Sequence, residues 1–373
     1  MGSAAADRLI ADGRWTPLRL PWGESLDIMV PPSGDLIGEH IQQSGGYFPP
    51  SFELALGLLE PGAVVLDLGA HLGTFSLAVA ARGHRVVAVE ASPRNAEFLR
   101  ASARANGFND ILVVQVAVSD EPSTVRFRHE GAWGQIAEGW SPGLVEVPAR
   151  TVSAVLREHD VGRIDFVKLD VEGSEIAAVH GMRDLLGGTD APPVVYESNA
   201  HTLRMFGATP EDLIADFTAL GYVSHLIGDG DLMPVGPESF QPDTCVDYLA
   251  VKGEVVPPAG WKARRSRTER ELAQVVALEA GLHIVDARAQ VARSLERAPA
   301  SLLARRDVQL ALTALALDPD DTVGRAAAWW PSRSARPSRK GGEVRHTLHA
   351  LAEQGRALHD RIAQIRIRWG LRP

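Results

Sequence analysis

The chain has 373 residues, of which 45% are hydrophobic, and a formal net charge of −9. This length suits roughly two to three domains, and the apolar content is ample for a core. A single cysteine, Cys245, excludes an internal disulfide and a cysteine-rich zinc site, which agrees with a reducing, cytoplasmic location. We expect no transmembrane segment and no secretory signal, because the sequence lacks the apolar runs that both require.

The first elements in chain order lie in residues 1–62. This part contains GGYFPPSFELALGLLEPG, which we expect to cap a cleft, with a short helix opening at Pro50 or Ser51. From residue 63 to about residue 225, apolar β-branched runs alternate with helical patterns, which predicts a parallel α/β sheet. The predicted strands are 64–67, 86–90, 111–118, 164–170, 194–197, 222–226 and 245–251. Residues 93–106 read as a helix that stops at Gly107.

The stretch AVVLDLGAHLGTF, which spans the first predicted strand and the loop after it, indicates a nucleoside-binding crossover. The loop turns on Gly69 and Gly73, and the next strand ends at Glu90, close to the spacing of a ribose-binding acid. The glycine pattern is GxxxG and not the GxGxxG of a dinucleotide site. Asp67 would repel phosphates but could receive a cationic ligand such as S-adenosylmethionine.

Two further strands end in acidic residues, in the stretches KLDVEGSE and VVYESNAH. The first supplies Lys168, Asp170 and Glu172, and a helix that we expect to start near Ser174. The second supplies Glu197, Asn199 and His201. Because ligands of open α/β sheets bind at the carboxyl ends of the strands, these side chains are expected to converge on one cleft.

The chemistry of this cleft stays open on sequence alone. Asp170, Glu197 and Asn199 could supply three oxygen ligands to a hard divalent cation such as Mg²⁺. Metal-free chemistry is the alternative, in which a carboxylate or His201 takes a proton from a substrate hydroxyl. Glu175 has a simpler interpretation, since an acid in the first turn of a helix complements the helix dipole.

Two regions outside these motifs carry further expectations. Segments 124–128 and 145–148 flank a glycine-rich loop with Trp133 and Trp140, which is either a hairpin connection or a lid over a substrate. After Lys252, a proline-containing linker leads to a basic tail with helical patterns. Residues 1–260 hold 17 Lys+Arg and 35 Asp+Glu, whereas residues 261–373 hold 21 and 12, so the two parts are expected to be different modules.

Together the series LDLGAHLGTFSL, AVEASPRNAEFLRASARANG, VVQVAVSD, FVKLDVEGSEIAAVHGM and VVYESNAH resembles the FkbM-type methyltransferases. The resemblance spans about residues 45–252 and implies a class I, Rossmann-like S-adenosylmethionine enzyme with a seven-stranded, mostly parallel sheet. It places an N-terminal cap segment at 1–62, the cofactor-binding methyltransferase domain at 63–252, a linker at 253–267 and a basic α-helical extension at 268–373.

The resemblance also implies roles for individual residues. It implies cofactor contacts at Asp67, Gly69, Ala70, His71, Gly73, Glu90, Ala91 and Ala117. Lys168, Asp170, Glu172 and Glu197 match the acidic cleft motifs of the family, and the candidate catalytic residues are Lys168, Asp170, Glu197 and His201. At His71 the family commonly has Asn, so this chain has a titratable group in its cofactor loop.

The predicted activity is O-methylation of a sugar, a glycan or a polyketide-type natural product. The alternatives are N-methylation, and a non-catalytic scaffold that works through its helical tail. The acidic cleft makes a nucleic-acid acceptor the less expected partner. The apolar stripe of the tail at 343–369 either packs within its own bundle or joins the chain to a second copy or to a partner protein.

Overall fold

The computed structural model describes residues 8–128, 135–136, 144–228, 230–237, 241 and 245–263. These residues belong to one compact unit. Its helices are α1 (Leu36–Ser44), α2 (Pro50–Leu58), α3 (Thr74–Ala81), α4 (Pro93–Ala105), α5 (Val152–Glu158), α6 (Glu175–Gly181), α7 (Arg183–Leu186), α8 (Ala200–Met205) and α9 (Pro210–Ala219). Within the same ranges, no helix is long and apolar enough to cross a membrane.

The strands form a hairpin and two larger sheets. They are β1 (Arg14–Arg19), β2 (Ser25–Val30), β3 (Val64–Leu68), β4 (Arg85–Val89), β5 (Ile111–Val114), β6 (Ala117–Val118), β7 (Ser123–Arg128), β8 (Gln135–Ile136), β9 (Leu144–Arg150), β10 (Phe166–Leu169), β11 (Val194–Asn199), β12 (Val223–Ile227), β13 (Asp231–Val235), β14 (Cys245–Val251) and β15 (Lys262–Ala263).

The main sheet has the order β15-β13-β12-β14-β11-β10-β3-β4-β5 in the described residues. The block from β11 to β5 is parallel, whereas β14 runs antiparallel between β11 and β12. The strand order reverses between β3 and β10, which is where open α/β sheets bind their ligands. The predicted Rossmann-like α/β class is confirmed, and all seven predicted strands contribute to this sheet.

Two details of the strand prediction were wrong. The sheet gains β13 and the short edge strand β15, so it has nine strands rather than seven among the described residues. The predicted strand 111–118 is interrupted after Val114, and its end forms β6, which pairs with β9 in a separate four-stranded sheet. At the break, the Gln115 side chain donates a hydrogen bond to the carbonyl of Ala91, 2.9 Å away. An apolar run in the sequence does not show where a strand changes its partner.

The helix predicted for 93–106 is confirmed as α4. Ser92 is its N-cap and accepts a hydrogen bond from the backbone N–H of Asn95, and Pro93 occupies the first turn. The strands β7 and β9 are antiparallel neighbours, as a hairpin connection requires. Trp133 and Trp140, the end of the linker at 264–267 and the entire tail at 268–373 lie outside the described residues.

The N-terminal segment packs against α4. Its hairpin β1–β2 is joined to the helix through the backbone N–H of Met29, which donates to Ser102 Oγ at 2.9 Å. Two short helices follow; α1 begins at the N-cap Asp35 and α2 opens at Pro50, the predicted position. Leu18, Ile28, Ile41 and Leu54 are fully buried in the same core cluster as Leu77 and Phe98. The segment is therefore an integral part of the domain.

Candidate functional site

The loop between β3 and α3 requires glycine at two positions. Gly69 has φ +78°, and a Cβ there would lie 1.7 Å from the carbonyl oxygen of Asp170. Gly73 has φ +89°, and its Cβ would lie 2.1 Å from a Leu99 methyl group. Only glycine fits both the left-handed backbone and these close approaches. The loop is therefore held tightly between β10, α4 and the strand that precedes it.

Asp67 lies beneath this loop and is completely buried. Its Oδ2 accepts a hydrogen bond from Ser76 Oγ at 2.6 Å, and its Oδ1 lies 3.6 Å from the Lys168 ammonium. Burial raises the pKa of Asp67, and Lys168 and Ser76 offset only part of this effect. In the structure Asp67 faces protein groups and joins β3 to α3 and β10.

Glu90 lies just past the end of β4 and organises the backbone around it. Its Oε2 accepts the backbone N–H of His71 and its Oε1 that of Ser92, both at 2.8 Å. Burial raises the pKa of Glu90, while His71 and the two backbone N–H groups lower it. The carboxylate thus fixes the glycine loop to the start of α4, at the position from which a ribose could be bound.

The remaining predicted cofactor residues lie around the same loop. Ala70 is buried, and its backbone N–H donates to the carbonyl of Val89 at 3.1 Å. His71 pairs through its ring with Asp35 at 2.7 Å. Ala91 is partly buried, and Ala117 is buried in β6. Ala70, His71 and Ala91 therefore lie near the ends of β3 and β4, whereas Ala117 is in β6, and their contact with a cofactor stays a prediction.

A cluster of acidic side chains adjoins this loop. Carboxylate oxygens of Asp170, Glu172 and Glu197 lie within 4.8 Å of one another. Lys168 Nζ lies 3.1 Å from Asp170 Oδ2 and 3.4 Å from the carbonyl oxygen of Gly69. One ammonium group therefore connects the glycine loop to the acids.

The electrostatics of the cluster follow from crowding. Burial lowers the pKa of Lys168, but Asp170 and Asp67 outweigh it and raise the pKa well above its ordinary value, so the ammonium is charged. Burial, with Asp170 and Glu175 nearby, raises the pKa of Glu172 to about 9. Burial and the same Asp170 also raise the pKa of Glu197 well above its usual range. The raised pKa of each glutamate favours its carboxylic acid form, which can donate a hydrogen bond.

The turn that holds Glu172 is strained. Glu172 has φ +53°, in the left-handed region that an ordinary side chain rarely adopts, and Gly173 follows with φ +102°. Glu175 holds the turn, because its Oε1 accepts the backbone N–H groups of Val171 and Gly173 at 3.1 Å. Ser174 occupies the N-cap position of α6 but makes no capping hydrogen bond with its side chain. Glu175 is thus a structural residue of the loop.

The structure places Asn199 and His201 differently from the acids. Asn199 is the N-cap of α8, and its Oδ1 accepts the backbone N–H groups of His201 and Thr202. The Asn199 oxygen is therefore already hydrogen-bonded to the start of the helix. The third oxygen donor that lies with Asp170 and Glu197 is the carboxylate of Glu172 and not the predicted Asn199. His201 is exposed, and its ring makes no hydrogen bond or ion pair within the described ranges.

Several residues of the site were missed by the sequence analysis. Asp247 is directly opposite Glu197 in the β11–β14 register, and its side chain is hydrogen-bonded to Ser51 of α2. Burial raises the pKa of Asp247 to about 6. Tyr47 is also close, because Asp247, Glu197 and Asp170 add to burial in raising the pKa of its hydroxyl. An acid within the apolar run CVDYLAV was the available signal for Asp247.

Cys245 faces the same cluster, in surroundings that keep its thiol protonated. Its thiol donates a hydrogen bond to Glu197. Burial and the neighbouring carboxylates of Glu197 and Asp247 raise its pKa, which disfavours the thiolate. The prediction of a non-reactive strand cysteine agrees with this environment.

Residues 67–224 match the family model of the methyltransferase FkbM domain. The chain contains an FkbM methyltransferase domain. The domain is that of an S-adenosylmethionine-dependent methyltransferase, and the match covers the glycine loop, Glu90 and the acidic strand ends. No curated protein matches the chain.

The chain is weakly similar to several solved structures, including two that are described as methyltransferases. A precorrin-6y C5,15-methyltransferase from Geobacter metallireducens has a TM-score of 0.34 and 12% identity, covering 55% of this chain and 87% of its own. A TehB-like SAM-dependent methyltransferase from Corynebacterium glutamicum has a TM-score of 0.34 and 15% identity, covering 58% and 94%. These likenesses are weak, and the fold assignment rests on the strand order of the FkbM domain.

Proposed function

We propose that the enzyme transfers the methyl group of S-adenosylmethionine to a hydroxyl group of a sugar, a glycan or a polyketide-type natural product. The observation that carries this proposal is the position of Lys168. Its ammonium contacts the Gly69 carbonyl of the cofactor loop and the Asp170 carboxylate of the acidic cluster. A methyl donor in the loop and an acceptor at the acids would therefore be neighbours.

The residues around the glycine loop fit the cofactor. The left-handed loop lets the backbone approach a ligand closely, and Glu90 can accept ribose hydroxyls. Ala91 and Ala117 belong to one apolar cluster, a surface suited to the flat adenine base. The cofactor supplies an electrophilic methyl group on a sulfonium. The contribution of the protein is to align the acceptor oxygen, the methyl carbon and the sulfur in a line.

Asp170 is our candidate for proton removal. With a side-chain exposure of 33% it is accessible from the cleft, and the Lys168 ammonium compensates its negative charge. As the methyl–oxygen bond forms and the methyl–sulfur bond breaks, the acceptor hydroxyl would pass its proton to the Asp170 carboxylate. The products are a methyl ether, S-adenosylhomocysteine and protonated Asp170.

The other acids suit an acceptor with several hydroxyl groups. The raised pKa values of Glu172 and Glu197 favour their carboxylic acid form, which can donate to the oxygens of such a molecule, whereas carboxylates accept from its hydroxyls. Tyr47 and Ser51 bring further hydroxyls from the N-terminal segment. A phosphate-bearing nucleic acid would be repelled by this surface, and retained activity on small glycosides at high salt would support its exclusion.

Metal-free transfer is the form that we propose. Lys168 already supplies a cation at Asp170, and the Asn199 oxygen is occupied as a helix cap. Chelation of divalent cations is then expected to leave turnover unchanged. If turnover falls on chelation and returns with Mg²⁺, the three carboxylates Asp170, Glu172 and Glu197 would be the ligands to examine first.

The proposal is tested by Asp170→Asn, with His201→Asn in parallel. Release of S-adenosylhomocysteine would be measured on a panel of glycosides and amino glycosides, and cofactor affinity by calorimetry. We expect Asp170→Asn to lower turnover by about 10²- to 10⁴-fold with little change in cofactor affinity. His201→Asn is expected to change turnover only slightly, because its ring is exposed.

Asp190→Asn, at an exposed loop position, is the matched control and should retain full turnover. Unchanged turnover in Asp170→Asn would remove Asp170 as the base. Transfer to amino glycosides alone, insensitive to loss of every candidate base, would favour N-methylation. Absence of cofactor binding in the wild type would favour the scaffold alternative, in which the tail is the working part. We also propose a cytoplasmic location for the protein, and association of its tail with a second copy or with a partner protein.

A further inference from the structure

The cofactor loop contains a histidine where its backbone geometry favours glycine. Gly69, His71 and Gly73 alternate along the loop, with φ of +78°, +53° and +89°. All three residues are in the left-handed region, where a side chain costs free energy that glycine does not. A histidine persists at such a position only if its surroundings hold it there.

Two contacts hold His71. Its backbone N–H donates to Glu90 Oε2 at 2.8 Å, and its ring Nε2 lies 2.7 Å from Asp35 Oδ2. Asp35 is only 2% exposed, and its other oxygen accepts the backbone N–H of Gly38 at 2.8 Å, which caps α1. The His71 side chain keeps 21% of its surface exposed. The ring thus connects the N-terminal segment to the loop and still borders open space.

The charged groups that face His71 are all acidic. They are Asp35 at the start of α1, Glu90 after β4 and Asp170 after β10. Burial lowers the pKa of His71, but these three carboxylates outweigh it and raise the pKa above its ordinary value of 6.5. The imidazolium form therefore persists to higher pH than in a free histidine.

The segment fastened by Asp35 also reaches the acceptor side. After α1, the ring of Tyr47 makes an edge contact with Phe52, with centroids 6.3 Å apart. Lys168 Nζ lies 5.9 Å from the centre of the Phe52 ring, and Ser51 is bonded to Asp247. One continuous piece of chain thus contacts the cofactor loop at one end and the acidic cluster at the other.

We propose that the His71–Asp35 pair positions the cofactor by holding the N-terminal segment against the glycine loop, with the His71 imidazolium facing the carboxylate of S-adenosylmethionine. Apart from Lys168, whose ammonium is paired with Asp170, the charged groups described beside the loop are acids, which would repel that carboxylate. His71 is a positioning and binding residue in this proposal and has no part in the transfer of the methyl group. The proposal rests on the cofactor site and is independent of the identity of the acceptor.

The test is the affinity for S-adenosylhomocysteine, measured by calorimetry from about pH 5.5 to about pH 9. In the wild type, affinity should be highest where His71 is protonated and fall as the pH rises through its raised pKa. His71→Asn should weaken binding about tenfold at low pH and remove this pH dependence, as expected for the loss of one charge-assisted contact. Asp35→Asn, which still caps α1, should weaken binding and move the dependence to lower pH.

Two further variants separate this role from general stability. His71→Gly suits the left-handed backbone, so weak binding by a folded His71→Gly protein cannot be attributed to strain in the loop. His180→Asn removes a similar pair, with Asp216 at 2.8 Å between α6 and α9, and should keep the affinity and pH profile of the wild type. Wild-type affinity and pH dependence in His71→Asn would overturn the proposal. Thermal unfolding confirms that each variant is folded.

Discussion

The two sides of the cleft treat their carboxylates in different ways. On the cofactor side, each carboxylate is held by a defined set of groups: Glu90 by two backbone N–H groups, and Asp67 by Ser76 and Lys168. On the acceptor side, Glu172, Glu197 and Asp247 are crowded together. Burial raises the pKa of each of them, and repulsion from the Asp170 carboxylate raises it further.

This difference suggests a division of labour. A cofactor that is the same in every turnover can be bound by a backbone that is fixed in advance, and the glycine loop provides one. An acceptor with several hydroxyl groups needs both donors and acceptors, and carboxyl groups with raised pKa values provide both. Rigidity is therefore the property to test on the cofactor side, and protonation the property to test on the acceptor side.

The largest effect is expected from Gly69→Ala. The new methyl group would overlap the Asp170 carbonyl, since an ideal Cβ lies 1.7 Å from it, and the residue would have to keep φ near +78°. We expect a loss of about 3–5 kcal/mol in the free energy of unfolding from the left-handed backbone and the overlap together. Cofactor binding should be lost as well. Denaturant unfolding and calorimetry measure the two effects.

Gly83→Ala is the matched control for this change. Gly83 has nearly the same φ, +81°, but a Cβ there would meet no atom within 4 Å. The Gly83→Ala variant should lose only about 1–2 kcal/mol in the free energy of unfolding, which is the cost of a side chain in the left-handed backbone conformation. Its cofactor affinity should stay unchanged. Equal losses at Gly69 and Gly83 would show that the close approach to Asp170 is not what fixes the loop.

The next largest effect is expected from Lys168→Met, which removes the cation shared by the two sides. Asp67 would be left fully buried without its cationic neighbour, so we expect a loss of about 3 kcal/mol in the free energy of unfolding. Lys252→Met, at a surface lysine bonded to the carbonyl of Gly188, should lose about 0.5 kcal/mol or less. Similar stabilities of the two variants would contradict a central role for Lys168.

A third prediction concerns protonation on the acceptor side. The pKa of Glu172 is raised to about 9, so the folded protein holds a proton that the unfolded chain releases near its ordinary value of 4.5. This contribution to stability is present at low pH and is lost as the pH rises toward 9. Glu172→Gln, which stays neutral, should be more stable than the wild type at about pH 9 by several kcal/mol, because a rise of the pKa from 4.5 to about 9 costs about 1.4 kcal/mol per unit.

The measurement is denaturant unfolding at a series of pH values. Glu60→Gln, at an exposed position, should follow the wild type throughout. If the stability of Glu172→Gln falls with pH as steeply as that of the wild type, Glu172 does not hold the proton, and Glu197 becomes the better candidate. This experiment therefore assigns the titration within the cluster as well as testing it.

The cofactor side was also the more predictable from sequence. A strand, two glycines and a following acid are local features, and Gly69, Gly73 and Glu90 were recognised from their spacing alone. His71 was treated as a departure within a GxxxG pattern, because sequence does not show that its backbone shares the left-handed conformation of its glycine neighbours. The parallel order of the sheet followed from the alternation of strands and helices.

The acceptor side depends on contacts that are distant in sequence. Asp247 meets Glu197 only because β14 enters the sheet antiparallel beside β11, in a register that no local pattern specifies. Tyr47 and Ser51 reach the same cluster from the N-terminal segment. Asn199 could be proposed as a ligand because its role as the cap of α8 depends on where that helix begins.

The smallest effect is expected from a comparison of two helix caps, one on the cofactor side and one elsewhere in the domain. Ser92 caps α4 beside Glu90, and Thr209 caps α9 together with Asp212, away from the glycine loop in the chain. Alanine at either position should cost about 1 kcal/mol in the free energy of unfolding. Only Ser92→Ala is expected to weaken cofactor binding as well, by a few-fold, because the start of α4 holds Glu90 through the Ser92 backbone. Calorimetry measures the cofactor affinity of both variants. Equal weakening by Thr209→Ala would contradict the prediction, because the rigidity of the cofactor side would then depend on the stability of the whole domain and not on its local contacts.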